Sequence, residues 1–216
     1  MSDTVDLAAL IAWLDRFRGY VTENRAYLTE LDSAIGDADH GINMTRGFDA
    51  VFAKLREAED GGTPYGTLVD LFKAVGMTLV TSVGGASGPL YGTFFLRLGA
   101  SAGATDTLDA TGLGAALRAG LEGVVARGKA EAGDKTMYDA MAPALDAYDA
   151  AVAGGAGAGA ATAAAFAAAE VGRDATEPLV ARKGRASYLG ERSAGHLDPG
   201  AASTALLFRA LAEALA

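Results

Sequence analysis

The sequence contains no cysteine, which excludes disulfide bonds and metal sites built on thiolates. Only 5 of its 216 residues are proline, and runs of β-branched residues are few. Strands favour Val, Ile, Thr and aromatic side chains, so a chain dominated by Ala and Gly is a poor candidate for a sheet protein. These shortages favour a helical protein, because small side chains also let helices pack closely.

The sequence also lacks the features of a targeting segment and of a membrane-spanning segment. Residues 1–6 lack the basic and apolar regions of a signal peptide, and no apolar run is long enough to cross a bilayer. The net charge of −9 argues against nucleic-acid binding, which needs a basic surface. We therefore expect a cytoplasmic protein with no membrane and no nucleic-acid partner, which binds phosphates only with the help of metal cations and a few basic groups.

Apolar residues recur every three to four positions along most of the chain, a spacing that predicts helices. Polar or glycine-rich segments separate them, and the stretch 151–161, rich in Gly and Ala, is interpreted as a loop. No linker divides the chain, so we predict an all-α, single-domain bundle or barrel over residues 1–216, with eight antiparallel up-and-down helices. The expected helices are at about 5–31, 42–60, 65–82, 89–100, 109–127, 136–152, 162–183 and 201–216.

The unusual polar residues collect in four segments between these helices: 32–43, 84–89, 127–137 and 182–200. In an up-and-down bundle, alternate loops lie at the same end. The four segments follow the first, third, fifth and seventh predicted helices. They are therefore expected to meet at one end of the molecule and to form one site.

Three aspartates mark the first of these segments: Asp32, which is expected to close the first helix, with Asp37 and Asp39 in the loop. Carboxylates this close repel one another unless a cation neutralises them. Oxygen ligands favour Mg²⁺ or Ca²⁺, and Mg²⁺ usually completes its coordination with water and phosphate oxygens. The alternative is a solvated acidic loop in which an aspartate caps a helix.

Other residues in the segments leave several roles open. His40 is a candidate phosphoryl acceptor, metal ligand or nucleotide contact, or a partly buried histidine bonded to a loop carbonyl. The segment 84–89 either presents backbone N–H groups to an anion or only caps two helices, with Ser87 as an N-cap. Residues 128–136 approach a P-loop, but Asp134 separates Gly133 from Lys135 and no strand precedes them, so that motif is rejected.

The last segment, 182–200, concentrates positive charge. Arg182, Lys183, Arg185 and Arg192 are suited to offset the charge of a phosphate, because a guanidinium binds phosphate in a bidentate fashion. The alternative is an ordinary solvated loop. Its length and its Gly, His and Asp content favour a functional segment.

Taken in order, these segments resemble the L subunits of phosphotransferase-system dihydroxyacetone kinases. The resemblance lies in GDADHGINM at residues 36–44, SVGGASGPLYGTFF at 82–95, KGRASYLGERS at 183–193 and GHLDPGA at 195–201, with shorter matches at 31–32, 127–129 and 133–137. It covers essentially the whole chain. It implies a barrel of eight antiparallel helices with a nucleotide at one end.

The resemblance also implies a set of binding residues. In that family three aspartates, here Asp32, Asp37 and Asp39, hold two Mg²⁺ ions that bridge the diphosphate of a tightly bound ADP or ATP. The other implied nucleotide contacts are His40, Gly41, Ile42, Asn43, Ala86, Ser87, Gly128, Met137, Arg185, Asp198, Pro199 and Gly200. No catalytic acid or base is expected on this chain, because phosphoryl transfer depends mainly on positioning and charge neutralisation.

The activity implied by the resemblance is that of a phosphotransferase subunit. Resident ADP is phosphorylated in place by a phosphohistidine on an M subunit, and the phosphoryl group then passes to dihydroxyacetone held on a K subunit. Two alternatives stay open. One is the nucleotide-binding domain of an ATP-dependent kinase of a ketose or related substrate, and the other is a non-catalytic module that senses nucleotide.

Overall fold

The computed structural model describes residues 4–216, and helices make up most of them. Two short strands, β1 (Val5–Asp6) and β2 (Thr107–Leu108), pair antiparallel, and a 3-10 helix covers Arg185–Ser193. No helix in this part of the chain is long and apolar enough to cross a membrane. The α-helices are α1 (Leu7–Glu23), α2 (Arg25–Ile35), α3 (His40–Asp60), α4 (Leu68–Ser82), α5 (Ser87–Ala102), α6 (Ala110–Gly128), α7 (Tyr138–Ala153), α8 (Ala158–Ala175) and α9 (Pro199–Ala214).

The all-α class is confirmed, but the first predicted helix is divided into α1 and α2 at Asn24. Both the backbone N–H and the side-chain Nδ2 of Asn24 donate to the carbonyl O of Tyr20, each at 2.9 Å. An Asn side chain that binds a nearby carbonyl competes with regular helix geometry. The second piece continues to Ile35, so Asp32 lies inside the last turn of α2 and does not close the helix.

The seventh predicted helix, α8, ends at Ala175, well before the expected Lys183. Pro178 has no N–H group and disfavours helical geometry at the residue before it, and the Thr176 hydroxyl already donates to the carbonyl O of Arg173 at 2.6 Å. The predicted loop over 151–161 shrinks to residues 154–157, because alanine extends the helices on both sides. Part of the polar segment 182–200, which is expected to be a loop after its first residues, forms the 3-10 helix.

Helices that follow one another from α3 to α9 pack side by side, and α1 contacts both α9 and α3, which closes the ring. One cluster of buried side chains runs through it, and the Trp13 indole donates to the carbonyl O of Leu207 at 2.9 Å across it. This order places the connections after α2, α4, α6 and α8 at one end, as the alternation predicts. Aromatic side chains dominate the centre: Trp13, Phe17, Phe48, Phe72, Phe94 and Phe95.

Candidate functional site

A cavity of about 460 Å³ opens where these four connections meet. Its walls come from the α2–α3 turn, the turn before α5, the end of α6 with the segment before α7, and the residues on both sides of the 3-10 helix. This volume is in the range of small-molecule sites. The predicted site residues that line it are Asp32, Asp37, Asp39, His40, Ala86, Ser87, Gly128, Met137, Arg185, Asp198, Pro199 and Gly200.

Gly41, Ile42 and Asn43 do not line the cavity, although they belong to the first turn of α3 beside it. A Cβ at Gly41 would overlap the carbonyl O of Arg25, so the glycine lets α3 touch α2. The Asn43 side chain lies behind the glycine-rich turn, where a Cβ at Gly84 would come 2.9 Å from its Oδ1. Gly41 and Asn43 therefore contact the framework behind the cavity, and the Ile42 side chain is partly exposed.

The three aspartates converge: one carboxylate oxygen from each of Asp32, Asp37 and Asp39 lies within 4.8 Å of the others. Asp32 is buried, and its Oδ2 accepts the backbone N–H groups of Asp39 at 2.8 Å and His40 at 3.1 Å. Ala38, between the other two aspartates, has a left-handed backbone with φ 62°. Such strain is typical of functional sites, and here it occurs where two carboxylates turn toward a third.

This donor set suits a hard divalent cation. It offers carboxylate oxygens and no sulfur, which favours Mg²⁺ or Ca²⁺ over softer metals. Arg185 already supplies positive charge, because its Nε lies 2.9 Å from Oδ2 of Asp37. The carboxylates therefore lie at the cavity wall together with a guanidinium that suits a phosphate.

The glycine-rich turn has the features of an anion site. Gly85 has φ 64°, and Ala86, not Ser87, is the N-cap residue of α5, with no side-chain hydrogen bond to the helix. The first N–H groups of a helix have no partner inside the helix, and here no side chain caps them. The alternative in which Ser87 caps α5 is therefore not formed, and the uncapped start of the helix suits an anion in the cavity.

His40 belongs to a buried chain of hydrogen bonds. Its Nε2 lies 2.9 Å from Ser203 Oγ, and its Nδ1 lies 3.1 Å from Ser87 Oγ. Ser203 donates its own proton to the carbonyl O of Gly200 at 3.0 Å. Ser203 must therefore accept from Nε2–H of His40, and Nδ1 accepts from Ser87.

This arrangement narrows the roles left open for His40. Burial lowers the pKa of His40 to about 4, so the ring is neutral near pH 7. Both ring nitrogens already have hydroxyl partners, which leaves neither of them free for a metal ion or a phosphoryl group. His40 instead orients Ser87 at the start of α5.

Asp198 begins α9 at the opposite wall of the cavity. Its Oδ2 accepts Ala201 N–H at 2.7 Å as an N-cap, and its own N–H donates to Thr176 Oγ1 at 3.0 Å. Burial raises the pKa of Asp198 to about 7. A Cβ at Gly200 would lie 3.0 Å from the Asp198 carboxylate and 3.4 Å from Met137, so Gly200 keeps this corner of the cavity open.

Sequence reasoning missed the buried residues that support the site. Tyr91 and Ser203 join the His40 chain, with their oxygens 2.8 Å apart, and Thr204 lies 3.2 Å from the Tyr91 hydroxyl. The available signal is the polar pair Ser203–Thr204, which interrupts the apolar residues of the first half of α9. The structure agrees with the rejection of Lys135 as a P-loop lysine, because its Nζ contacts four backbone carbonyls.

The chain is similar to known proteins over nearly its whole length. Residues 34–213 match the DAK2 domain family. The chain is 46% identical over 208 residues to "PEP-dependent dihydroxyacetone kinase 1, ADP-binding subunit DhaL" of Listeria innocua, with 96% of each chain covered. It is 44% identical over 203 residues to "PEP-dependent dihydroxyacetone kinase, ADP-binding subunit DhaL" of Escherichia coli, with 94% of each covered.

Solved structures agree with the sequence relatives. The native dihydroxyacetone kinase of C. freundii superposes with a TM-score of 0.72 and 30% sequence identity. The match covers 95% of this chain but only 34% of that one, so the chain corresponds to about a third of the larger kinase. The complex of that kinase with AMP-PNP and Mg²⁺ gives a TM-score of 0.70. Because the domain family and the full-length relatives both match, the chain belongs to the DhaL family of DAK2-domain proteins.

Proposed function

We propose that the chain is the ADP-binding subunit of a phosphoenolpyruvate-dependent dihydroxyacetone kinase. In this proposal it keeps one nucleotide in the cavity while a phosphoryl group moves from an M subunit to dihydroxyacetone on a K subunit. These two partners and the cytoplasmic location expected from the sequence are parts of the same proposal. The relatives from Listeria innocua and Escherichia coli are named ADP-binding subunits of such kinases, and the chain matches at least 94% of the length of each.

One observation carries the proposal: three carboxylates within 4.8 Å of one another lie in the wall of a nucleotide-sized cavity. Asp32, Asp37 and Asp39 would hold two Mg²⁺ ions. When bound, these ions would neutralise the diphosphate and the charge that develops on the transferred group. The structurally similar C. freundii kinase has been solved in complex with AMP-PNP and Mg²⁺, which supports this combination of ligands.

The chain's own residues would contribute binding, orientation and charge. Ala86 and Ser87 line the cavity at the start of α5, where backbone N–H groups that no side chain caps would suit phosphate oxygens. Arg185, two-thirds exposed in its pairing with Asp37, can exchange that carboxylate for a phosphate once metal neutralises Asp37. The remaining cavity residues, Gly128, Met137 and the turn at 198–200, would hold the nucleoside.

Neither His40 nor Asp198 is suited to remove a proton from a substrate, and the other three carboxylates of the cavity are assigned to metal in this proposal. His40 is neutral with both ring nitrogens occupied, and Asp198 is occupied as the N-cap of α9. The substrate and the phosphoryl donor would therefore bring their own acid and base groups on other chains. Such a division suits phosphoryl transfer, which depends mainly on positioning and electrostatic stabilisation.

Native mass spectrometry of the desalted protein, with and without a chelator, tests the proposal. We expect extra mass that matches one ADP with two Mg²⁺ ions, lost when the metal is chelated. A bare chain that takes up nucleotide only transiently after ATP is added would favour the exchanging, ATP-dependent kinase. A bare chain that takes up neither metal nor nucleotide would overturn the assignment of the site.

A retained nucleotide does not by itself separate a kinase subunit from a nucleotide-sensing module. The separating experiment adds phosphorylated M protein and dihydroxyacetone-loaded K protein and follows dihydroxyacetone phosphate. Product that depends on this chain and forms without free ATP is expected. Retention of ADP with no product would favour the non-catalytic module.

A further inference from the structure

Lys135 is a buried lysine whose charge is held by backbone carbonyls. Its side chain is 1% exposed, and Nζ donates to the carbonyl O of Thr176 at 2.9 Å, Leu179 at 3.0 Å and Glu177 at 3.2 Å. The carbonyl O of His196 is a fourth acceptor. An ammonium group has three N–H donors, so these four carbonyls, the carbonyl cage, use all of them.

The charge of Lys135 has no direct carboxylate partner within 4.0 Å among residues 4–216. Burial lowers the pKa of Lys135, while the more distant carboxylates of Asp198 and Glu177 act in the opposite direction. Burying an ammonium is costly unless its hydrogen bonds are satisfied. The carbonyl cage supplies those hydrogen bonds, and four carbonyl oxygens could surround a small bound cation in the same way.

The carbonyl cage joins two of the four connections that form the site. Lys135 belongs to the segment between α6 and α7, whereas its acceptors belong to the segment between α8 and α9. One backbone hydrogen bond follows the same path, because Arg182 N–H donates to the carbonyl O of Asp134 at 3.0 Å. Within the segment between α8 and α9, Gly195 N–H donates to the carbonyl O of Glu177 at 2.8 Å. Lys135 itself lines the cavity together with Met137, and on the other side of the cage the cavity residue Asp198 lies two residues after His196.

Lys135 itself is unsuited to touch a phosphate, because its ammonium is directed at the carbonyls. Its backbone nevertheless has φ 63°, a left-handed geometry that a lysine adopts only at a cost. The carbonyl cage stabilises the residue in that geometry. If Lys135 holds the two segments of the cavity wall together, its burial, its strained backbone and its four carbonyl acceptors are all accounted for.

We propose that Lys135 is a positioning residue that acts as an internal cation and fixes Met137 and the turn at 198–200 as one wall of the cavity. The identity of the ligand rests on the proposed function, but the mechanical role of the carbonyl cage does not. Removing the ammonium takes a charged donor from four carbonyls, of which Thr176 and Glu177 still accept the backbone N–H groups of Leu179 and Gly195. The carbonyls of Leu179 and His196 lose the hydrogen bond that holds them to the other segment, and both segments then loosen. A small cation that enters the emptied cage should restore them.

Two substitutions of Lys135 separate the loss of the ammonium from the refilling of the cage by another cation. Lys135→Ala empties the cage and leaves room for an ammonium ion, whereas Lys135→Met fills the same space with an apolar chain and leaves no room. Both should lower the Tm, by on the order of 10 °C. Lys73→Ala, which removes an exposed lysine from α4, is the control for loss of charge and should leave the Tm unchanged.

The decisive measurement compares the variants in ammonium chloride and in tetramethylammonium chloride at matched concentration. Ammonium should recover a large part of the lost Tm in Lys135→Ala and restore protection from hydrogen exchange over residues 176–200. It should do neither in Lys135→Met. Equal behaviour of the two variants in ammonium would overturn the carbonyl cage as a cation site.

Affinity for Mg·ADP, measured by calorimetry, links the carbonyl cage to the cavity. Lys135→Ala should bind roughly ten- to a hundredfold more weakly, with the loss reduced by ammonium. Unchanged affinity in a variant with loosened segments would overturn the positioning role. A wild-type protein that binds no Mg·ADP would instead refute the proposed function, while the Tm and exchange results would still decide the role of the cage.

The wild-type protein supplies a test that does not depend on a variant folding. Lys135 is one of five lysines in the sequence, and it alone is buried among them. With ¹⁵N-labelled lysine, we expect one ammonium resonance whose protons exchange slowly with water, assigned by its loss in Lys135→Ala or Lys135→Met. The absence of any slowly exchanging ammonium resonance would contradict the carbonyl cage.

Discussion

The two ends of the helical ring are built from the same helices but from very different connections. At the cavity end, the connections and the helix turns beside them hold the buried charged or ionisable residues Asp32, His40, Asp134, Lys135 and Asp198. At the opposite end, the connections at 61–67, 103–109 and 154–157 contain no buried residue within the part of the chain that the structure describes. The ring of helices alone therefore does not make a site; the buried polar contacts of one end do.

This comparison predicts that matched substitutions at the two ends will have unequal effects. The largest difference is expected for Asp37→Asn, which removes one of the three converging carboxylates. Retention of Mg²⁺ and nucleotide should fall by roughly a hundredfold or more, because a metal ligand is lost. Circular dichroism should show an unchanged helix content, since Asp37 is exposed.

Asp60→Asn, at the end of α3 away from the cavity, is the matched control and should bind nucleotide like the wild type. Native mass spectrometry measures both variants under the same conditions. Unchanged ADP retention in Asp37→Asn would refute the metal assignment at this end.

Gly36→Ala tests how closely the cavity end is packed. A Cβ at Gly36 would overlap Oδ1 of Asp32, so the substitution must displace a carboxylate that also accepts two backbone N–H groups. We expect Mg²⁺ affinity to fall about tenfold or more, measured by calorimetry. At Gly66, in the α3–α4 connection, a Cβ would meet nothing within 4 Å, so Gly66→Ala should bind normally. Equal affinities of the two variants would show that Asp32 need not be held in place.

The two N-caps Asp198 and Asp109 extend the comparison to pH. Asp198 has a folded-state pKa of about 7, above the ordinary value near 3.9, so the folded state binds its proton more tightly than the unfolded state. In the metal-free protein, the free energy of unfolding should therefore fall as pH rises from about 4 to about 7, by on the order of 1–3 kcal/mol. Urea unfolding across this range measures it.

Asp198→Asn keeps an N-cap oxygen and removes the titratable carboxyl group. The free energy of unfolding of this variant should therefore not fall between about pH 4 and pH 7. Asp109→Asn changes the matching cap of α6, where Gly112 N–H donates to Asp109 Oδ1 at 2.7 Å, and should keep the wild-type profile. A fall of the same size in Asp198→Asn would assign the pH dependence to another group.

Buried hydroxyl groups give the smallest expected contrast. Ser203→Ala removes the acceptor of His40 Nε2–H and a partner of Tyr91, and should cost about 1–3 kcal/mol of unfolding free energy. The Thr162 hydroxyl, also fully buried, donates to carbonyls of its own helix at Ala158 and Gly159 and to no other group among residues 4–216 that the structure gives. Thr162→Val should therefore cost less than about 1 kcal/mol. Urea unfolding of both variants tests this, and equal costs would show that the His40 chain is not a special support.

The sequence allowed the meeting of the four connections to be predicted, because alternation of antiparallel helices depends only on helix order. The sequence did not reveal the break at Asn24, because the apolar spacing continues across this residue. The hydrogen bond from the Asn24 side-chain amide to the carbonyl of Tyr20, which competes with helix geometry, leaves no mark in that spacing. The end of α8 was misplaced because Pro178 was overlooked and because the carbonyls beyond it are held by Lys135, a residue distant in sequence. Tyr91, Ser203 and Thr204 were missed because a hydroxyl's partner across the core is not encoded in local spacing.

The pairing of β1 with β2 has a consequence for architecture. It fixes Val5 at the end away from the cavity, and the carbonyl of Leu215 lies there too, against Gly159 in the first turn of α8. Both ends of the described chain thus leave from the side that carries no site. A tag, a surface attachment or a further domain can be joined there without covering the cavity, and the same geometry suits the fold to occupy a third of a longer kinase chain.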